Sequence, residues 1–141
     1  EHIGAGLDDA LTQNAINTAA TCASYTWAGA LEHPKTRAKI QRAHVLVHAS
    51  KMEGGAHVVM EAVCSGTPVV ASDIPGNVGM LGDDYCGYFP VGDAQALAKL
   101  LERCKDDGPF LDLLKRQCAL RAPLFAPQAE QSALLQVIQS L

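Results

Sequence analysis

Three apolar runs of three to five residues, His44–His48, Val69–Ala71 and Gly87–Phe89, alternate along the chain with stretches of helical periodicity. Short unbroken apolar runs suit strands buried on both faces, and helices between them are the crossovers that parallel neighbours need. The alternation predicts an α/β fold with a Rossmann-like parallel sheet flanked by helices. Sheets of this kind bind ligands beyond the carboxyl ends of their strands. At 141 residues the chain is one domain's worth of length, and its 48% hydrophobic content is enough to bury a core. A single domain, residues 1–141, is expected.

The remaining elements follow from local signals. Glu1 to Gly6 reads as the tail of a strand entering a glycine turn. Leu7 to Ala23 reads as a helix with Asp8 and Asp9 in its favourable first turn. Tyr25–Ala28 is β-prone, and Trp27 there is expected in the core. His33-Pro34 opens a helix to about Arg42, since proline is tolerated in a first turn. A helix from about Ala56 to Ser65 is stopped by Gly66-Thr67-Pro68. The Asp-, Pro-, Gly- and Asn-rich stretch from Ser72 through Asp84 reads as a loop. Asp93 caps a helix with Leu97, Leu100, Leu101 and Cys104 at core spacing, and helices over about Phe110–Leu120 and Ala126–Leu141 finish the chain.

Charge and composition narrow the function. A net charge of −4 and only 5% aromatic residues argue against a nucleic-acid platform, which wants a basic surface and stacking rings. No apolar run is long enough to span a bilayer, and no signal peptide opens the sequence. The five cysteines, Cys22, Cys64, Cys86, Cys104 and Cys118, contain no Cys-x-x-Cys pair. They read as reduced, buried small hydrophobes of a cytoplasmic protein, and the five histidines add no metal-ligand spacing. No metal site is expected. His44 and His48 read as core-edge histidines with satisfied rings. Lys35, Lys39 and Arg42 form a solvated stripe at helical spacing.

The candidate site follows the His44–His48 strand. Gly54 and Gly55 let backbone approach a ligand with no Cβ in the way. The first amides of the next helix have no intrahelical partner and carry the positive end of its dipole, which suits a diphosphate. Glu53 precedes that helix and Glu61 lies within it, so each carboxylate has the chemistry to accept from a vicinal diol. Spacing alone also suits a plainer pair, with Glu53 a surface acid near the dipole and Glu61 a solvated helix residue. Asn77 suits either a substrate contact or a turn.

The Glu53-x7-Glu61 stretch resembles the retaining group 1 (family 4) glycosyltransferases of the GT-B fold. Further parts of the resemblance are Ala62, Gly66-Thr67-Pro68-Val69-Val70-Ala71-Ser72, Gly92-Asp93-Ala94, Trp27-x-Gly29 and the Ala43–His48-x-Ser50 strand. It implies a C-terminal, nucleotide-sugar-binding domain, with Glu53 on the donor sugar and Glu61 on the ribose. The amides of Gly54, Gly55, Ala56, His57 and Val58 would hold the diphosphate of a UDP-linked donor, with neither cofactor nor metal. Two departures are visible: Gly54-Gly55-Ala56 stands for the family's Gly-aromatic-Gly, and His57 replaces an aliphatic residue. An N-terminal acceptor domain and a basic pair would lie upstream of the first residue, so the 141 residues alone are expected to be inactive.

A narrower resemblance joins Met52–His57, Gly76-Asn77-Val78-Gly79-Met80-Leu81-Gly82 and Tyr85-x-Gly87–Asp93. These look like the selenosugar synthase subgroup, which transfers from a UDP-N-acetylhexosamine to selenophosphate. A stand-alone nucleotide-binding module and a GT-B epimerase remain the competing readings.

Overall fold

The computed structural model describes residues 1–6 and 8–140. The chain forms two compact units, one ending at Lys39 and the other starting at Ile40. In the first, α1 (Asp9–Thr21) starts where the Asp8 carboxylate accepts from Leu11 N–H at 2.7 Å. Such a cap satisfies one of the four orphan donors of a helix start. Leu7, expected to open this helix, lies outside the described residues. The two β-prone ends of the unit meet at a single parallel bridge, His2 to Trp27, instead of pairing as full strands. The Trp27 ring is only half-buried and donates its indole N–H to the Gly4 carbonyl at 3.0 Å. The unit boundary falls within α2 (His33–Arg42).

The second unit contains the sheet. Strands β1 (Leu46–His48), β2 (Val69–Ser72) and β3 (Tyr88–Phe89) lie side by side in sequence order, all parallel. Every residue of β2 is buried. Side chains alternate between faces along a strand, so both faces of β2 are covered. α3 (His57–Cys64) packs on β1 and β2, and α5 (Ala94–Asp106) packs on β2 and β3. α6 (Gly108–Arg121) adds Phe110, Leu114 and Cys118 to a core that includes Val59, Val63, Val70 and Leu81. Its N-cap is Asp107, whose carboxylate accepts from Phe110 N–H, so the helix starts two residues before the expected Phe110. A 3₁₀ turn (Ala122–Phe125) leads into α7 (Pro127–Gln139); Leu141, expected as that helix's last residue, lies outside the described residues. Among the described residues no helix is long and apolar enough to cross a membrane.

One expectation is corrected outright. The stretch after β2 is not a loop but contains α4 (Pro75–Leu81). Pro75 takes the first helical position, where its missing N–H costs nothing, and Gly82 at φ 95° ends the helix in the left-handed region. Its glycines and asparagine look like turn residues because the reasons for them are tertiary. Arg121 then caps α4 from outside, donating to the carbonyls of Gly79 and Met80, both at 2.9 Å. The cysteine expectation divides: Cys104 and Cys118 are buried, whereas Cys22, Cys64 and Cys86 are exposed.

Tyr85 locks β2 to α6. Its hydroxyl donates to the Val69 carbonyl, accepts from Val69 N–H at 3.1 Å and takes the Cys118 thiol at 3.4 Å. Burial, reinforced by Cys118, pushes the phenol well above the ordinary tyrosine range, and burial also raises Cys118 and Cys104. A group whose folded pKa is raised contributes stability that is complete below its unfolded value and is lost above it. The unfolded values are about 8.5 for the thiols and about 10 for the phenol. Stability should therefore fall as pH rises from about 8.5 onward. Tyr85→Phe is expected to cost about 1–3 kcal/mol at pH 7 in urea titrations and to flatten the alkaline limb above about pH 10. An unchanged alkaline limb would contradict this account.

Candidate functional site

The site lies where β1 and β2 end. After His48 the chain runs through Ser50, Glu53, Gly54 and Gly55 to Ala56, the N-cap of α3. Ala56 offers no side chain to the helix start. Val59 N–H and Met60 N–H both turn back to the Ala56 carbonyl, at 2.9 and 3.3 Å. Among the described residues no carbonyl accepts from His57 N–H or Val58 N–H. These two amides carry the positive end of the α3 dipole. Gly54 and Gly55 are exposed beside them, Ala56 is buried and Val58 half-buried. The His57 ring is exposed, leaving its backbone as the part at the helix start.

The two glutamates take different positions. Glu53 has a side chain 38% exposed, with Oε1 accepting from Ser50 Oγ at 3.0 Å. Glu61 is half-buried on α3, four residues after His57 and so about 6 Å further along the axis. Glu53 thus precedes the helix start, and Glu61 lies about one turn into the helix. Lys51 is exposed nearby in sequence. The predicted basic stripe is solvated: Lys35 pairs with Glu32 at 3.1 Å and Lys39 with Glu1 at 2.9 Å, on exposed or half-exposed side chains.

The floor under this segment was not legible beforehand. A Cβ placed on Gly76, in the first turn of α4, would overlap the Glu53 carbonyl. The Glu53–Gly54 backbone thus rests directly on α4, and a Cβ on Gly55 would meet Met80 Sδ at 3.8 Å. Asn77 is fully buried, so it does not face a ligand. Its Nδ2 donates to the Ser72 carbonyl at 2.8 Å and to Ser72 Oγ at 3.2 Å, while Oδ1 meets His48 Nδ1 at 3.0 Å. His48 is thus buried and partnered as expected, whereas His44 is exposed, contrary to expectation. The one prior signal was a histidine ending an apolar strand. Its partner lies 29 residues away, beyond any local pattern.

A parallel sheet with a glycine loop and an open helix start at its carboxyl edge is a general nucleotide-binding design. A family model described as glycosyl transferases group 1 matches residues 3–119, a span that includes Glu53, the α3 start and Glu61. The chain belongs to the group 1 glycosyltransferases. Two solved structures align with this group 1 chain over nearly its whole length. One is sucrose-phosphate synthase from Thermosynechococcus elongatus, with a TM-score of 0.77 and 23% identity over 98% of this chain. The other is a TarM variant from S. aureus in complex with fondaparinux, α-GlcNAc-glycerol and UDP, with a TM-score of 0.72 and 18% identity over 96%. At such identities the likeness is one of fold, the GT-B fold. The chain spans 37% of the first protein's length and 28% of the second's. No curated protein matches it.

Proposed function

We propose that this chain is the donor-binding part of a retaining glycosyltransferase that moves a sugar from a UDP-linked donor to an acceptor bound by a separate N-terminal domain. The observation that carries the reading is the open start of α3 behind Gly54-Gly55, with Glu53 just before it in the chain and Glu61 about one turn into the helix. On this reading the amides of Gly54, Gly55, Ala56, His57 and Val58 hold the donor diphosphate. As the sugar–phosphate bond breaks, charge builds on that diphosphate, and fixed amide dipoles stabilise it without reorganising. Glu61 accepts from the ribose hydroxyls and Glu53 from those of the donor sugar. Neither role calls for a metal or another cofactor. Membership of the family supports the assignment, and the UDP bound to the TarM variant supports the choice of base.

In its narrower form the reading places the protein in the selenosugar synthase subgroup, with a UDP-N-acetylhexosamine as donor and selenophosphate as acceptor. The Asn77-Val78-Gly79-Met80 segment and the Met52–His57 run support it. A cytoplasmic setting suits five cysteines with no disulfide among the described residues.

Calorimetric titration of the 141-residue chain with UMP, UDP and UDP-N-acetylglucosamine tests the reading. UDP is expected to bind in the micromolar to millimolar range, roughly 4 to 8 kcal/mol, with amide shifts centred on Gly54–Val58. Glu61→Gln should weaken all three ligands about tenfold or more, because all three carry the ribose. Glu53→Gln should weaken only the UDP-sugar, by a similar factor. Equal losses of UDP and UDP-sugar in both variants, or an unaffected Glu61→Gln, would remove the diol assignments.

A further inference from the structure

The polar chain behind Glu53 closes only with one proton more than a neutral histidine supplies. The Ser72 carbonyl can only accept, so the Asn77 group 2.8 Å from it is the amide NH₂. Asn77 Oδ1 is therefore the acceptor facing His48 Nδ1 at 3.0 Å, and Nδ1 carries a proton. In the neutral ring Nε2 then holds only a lone pair. Ser50 Oγ lies between two acceptors, 3.3 Å from Nε2 and 3.0 Å from Glu53 Oε1, and its single proton can serve only one of them. A second ring proton removes this competition. Nε2–H then donates to Ser50 Oγ, and the Ser50 hydroxyl donates to Glu53 Oε1. His48 is buried, so the charge it takes up needs a partner, and the Glu53 carboxylate supplies one 3.8 Å from Nε2.

We propose that His48 is a proton-operated positioning residue for Glu53: with Nε2 protonated the Ser50 hydroxyl holds the carboxylate, and with Nε2 bare the hydroxyl turns back to the ring and releases it. The loop backbone is held separately, because the Ser50 carbonyl accepts from Ser72 Oγ at 2.6 Å. The proposal deepens the functional reading and rests on it only for the identity of the ligand. Held through Oε1, Glu53 keeps Oε2 for a hydroxyl of the donor sugar. Released, it must be ordered when the sugar binds, and that ordering weakens affinity. Histidine side chains exchange a proton between about pH 5 and 8, so sugar binding should weaken as pH rises through that window. Around His48, α4 presents Asn77 and β2 presents Ser72, neither of which titrates. Neighbouring segments add Lys51 in the loop, His57 and Glu61 on α3, and exposed Asp73 after β2. All of these are kept in Ser50→Ala and His48→Asn, so what they contribute is common to both variants and the unmodified chain.

NMR of the free chain and calorimetry at two pH values test this. Between about pH 5.5 and 8, His48 should lose the Nε2 proton and keep the one on Nδ1. Over the same range the Glu53 side-chain couplings should pass from those of one rotamer to an average. In Ser50→Ala they should be averaged throughout. The unmodified chain should bind UDP-N-acetylglucosamine about three- to tenfold more tightly than Ser50→Ala at about pH 5.5, and equally at about pH 8. His48→Asn keeps a donor near the Nδ1 position for Asn77 but takes up no proton, so it should match Ser50→Ala at both pH values. Melting temperatures show whether His48→Asn keeps its fold; if it does not, Ser50→Ala alone decides. The same affinity ratio at both pH values, a His48 that stays neutral at the lower pH, an Nδ1 proton that titrates, or Glu53 couplings that ignore the His48 titration would each overturn the proposal. If the unmodified chain binds no UDP-sugar, the functional reading fails, and the NMR measurements still decide this one.

Discussion

Gly76→Ala is expected to destabilise the protein by about 2–4 kcal/mol and to abolish measurable UDP-sugar binding. In most helices alanine is better than glycine by about 1 kcal/mol, so the ordinary expectation has the opposite sign. Here the new Cβ would occupy the place of the Glu53 carbonyl, with the Glu53 carbonyl carbon and Gly54 backbone close behind. Backbone cannot swing aside as the end of a side chain can, so either α4 shifts or the Glu53–Gly54 segment lifts. Both responses move the start of α3 relative to Glu53. Gly79→Ala is the internal control, because a Cβ there meets nothing within 4 Å. It should be neutral or slightly stabilising and should bind as the unmodified chain does. Urea titration and calorimetry on both variants make the comparison; a Gly76→Ala protein as stable as Gly79→Ala would show that the two segments are not in contact.

The same glycine shows why part of this fold was legible in sequence and part was not. Val69–Ala71 could be read as a strand because an unbroken apolar run has few alternatives, and the Asp93 cap could be read because it acts within three residues of itself. The Asp107 cap is just as local, yet a reading that starts its helix at Phe110 passes it over and begins two residues late. The Gly54-Gly55 turn and the open start of α3 belong to the same class, since a glycine pair before an apolar helix is a local signal. α4 belongs to the other class. Pro75, Gly76 and Asn77 look like a turn when read locally. Gly76 is glycine because another backbone passes over it, and Asn77 is asparagine because a histidine on a different strand needs an acceptor. Both reasons come from contacts 22 or more residues away in sequence. The exposed Cys64 and Cys86 are a milder case, because a cysteine's composition-level preference for burial does not say which face of an element it occupies.

Asn77→Leu should destabilise the protein even though the two side chains are nearly the same size. Shape is preserved, so no cavity term arises, and the whole effect comes from unmet hydrogen bonds. Leucine would leave His48 Nδ1–H without its acceptor and take one donor each from the Ser72 carbonyl and hydroxyl, all in a site closed to water. Ser72 keeps Ile74 N–H on its carbonyl and the Ser50 carbonyl as acceptor for its hydroxyl, so His48 Nδ1–H is the group left unpaired, at a cost of about 1–3 kcal/mol. That is a large share of the 5–15 kcal/mol typical of a folded domain. The partner variant His48→Phe removes the other half of one bond. In the Asn77→Leu, His48→Phe double variant neither side of that bond remains to be satisfied, so the combined loss should be smaller than the sum of the two single losses. Chemical denaturation of the three variants reads this directly. Strict additivity would mean that the 3.0 Å contact contributes nothing, and that the asparagine is held there only by Ser72.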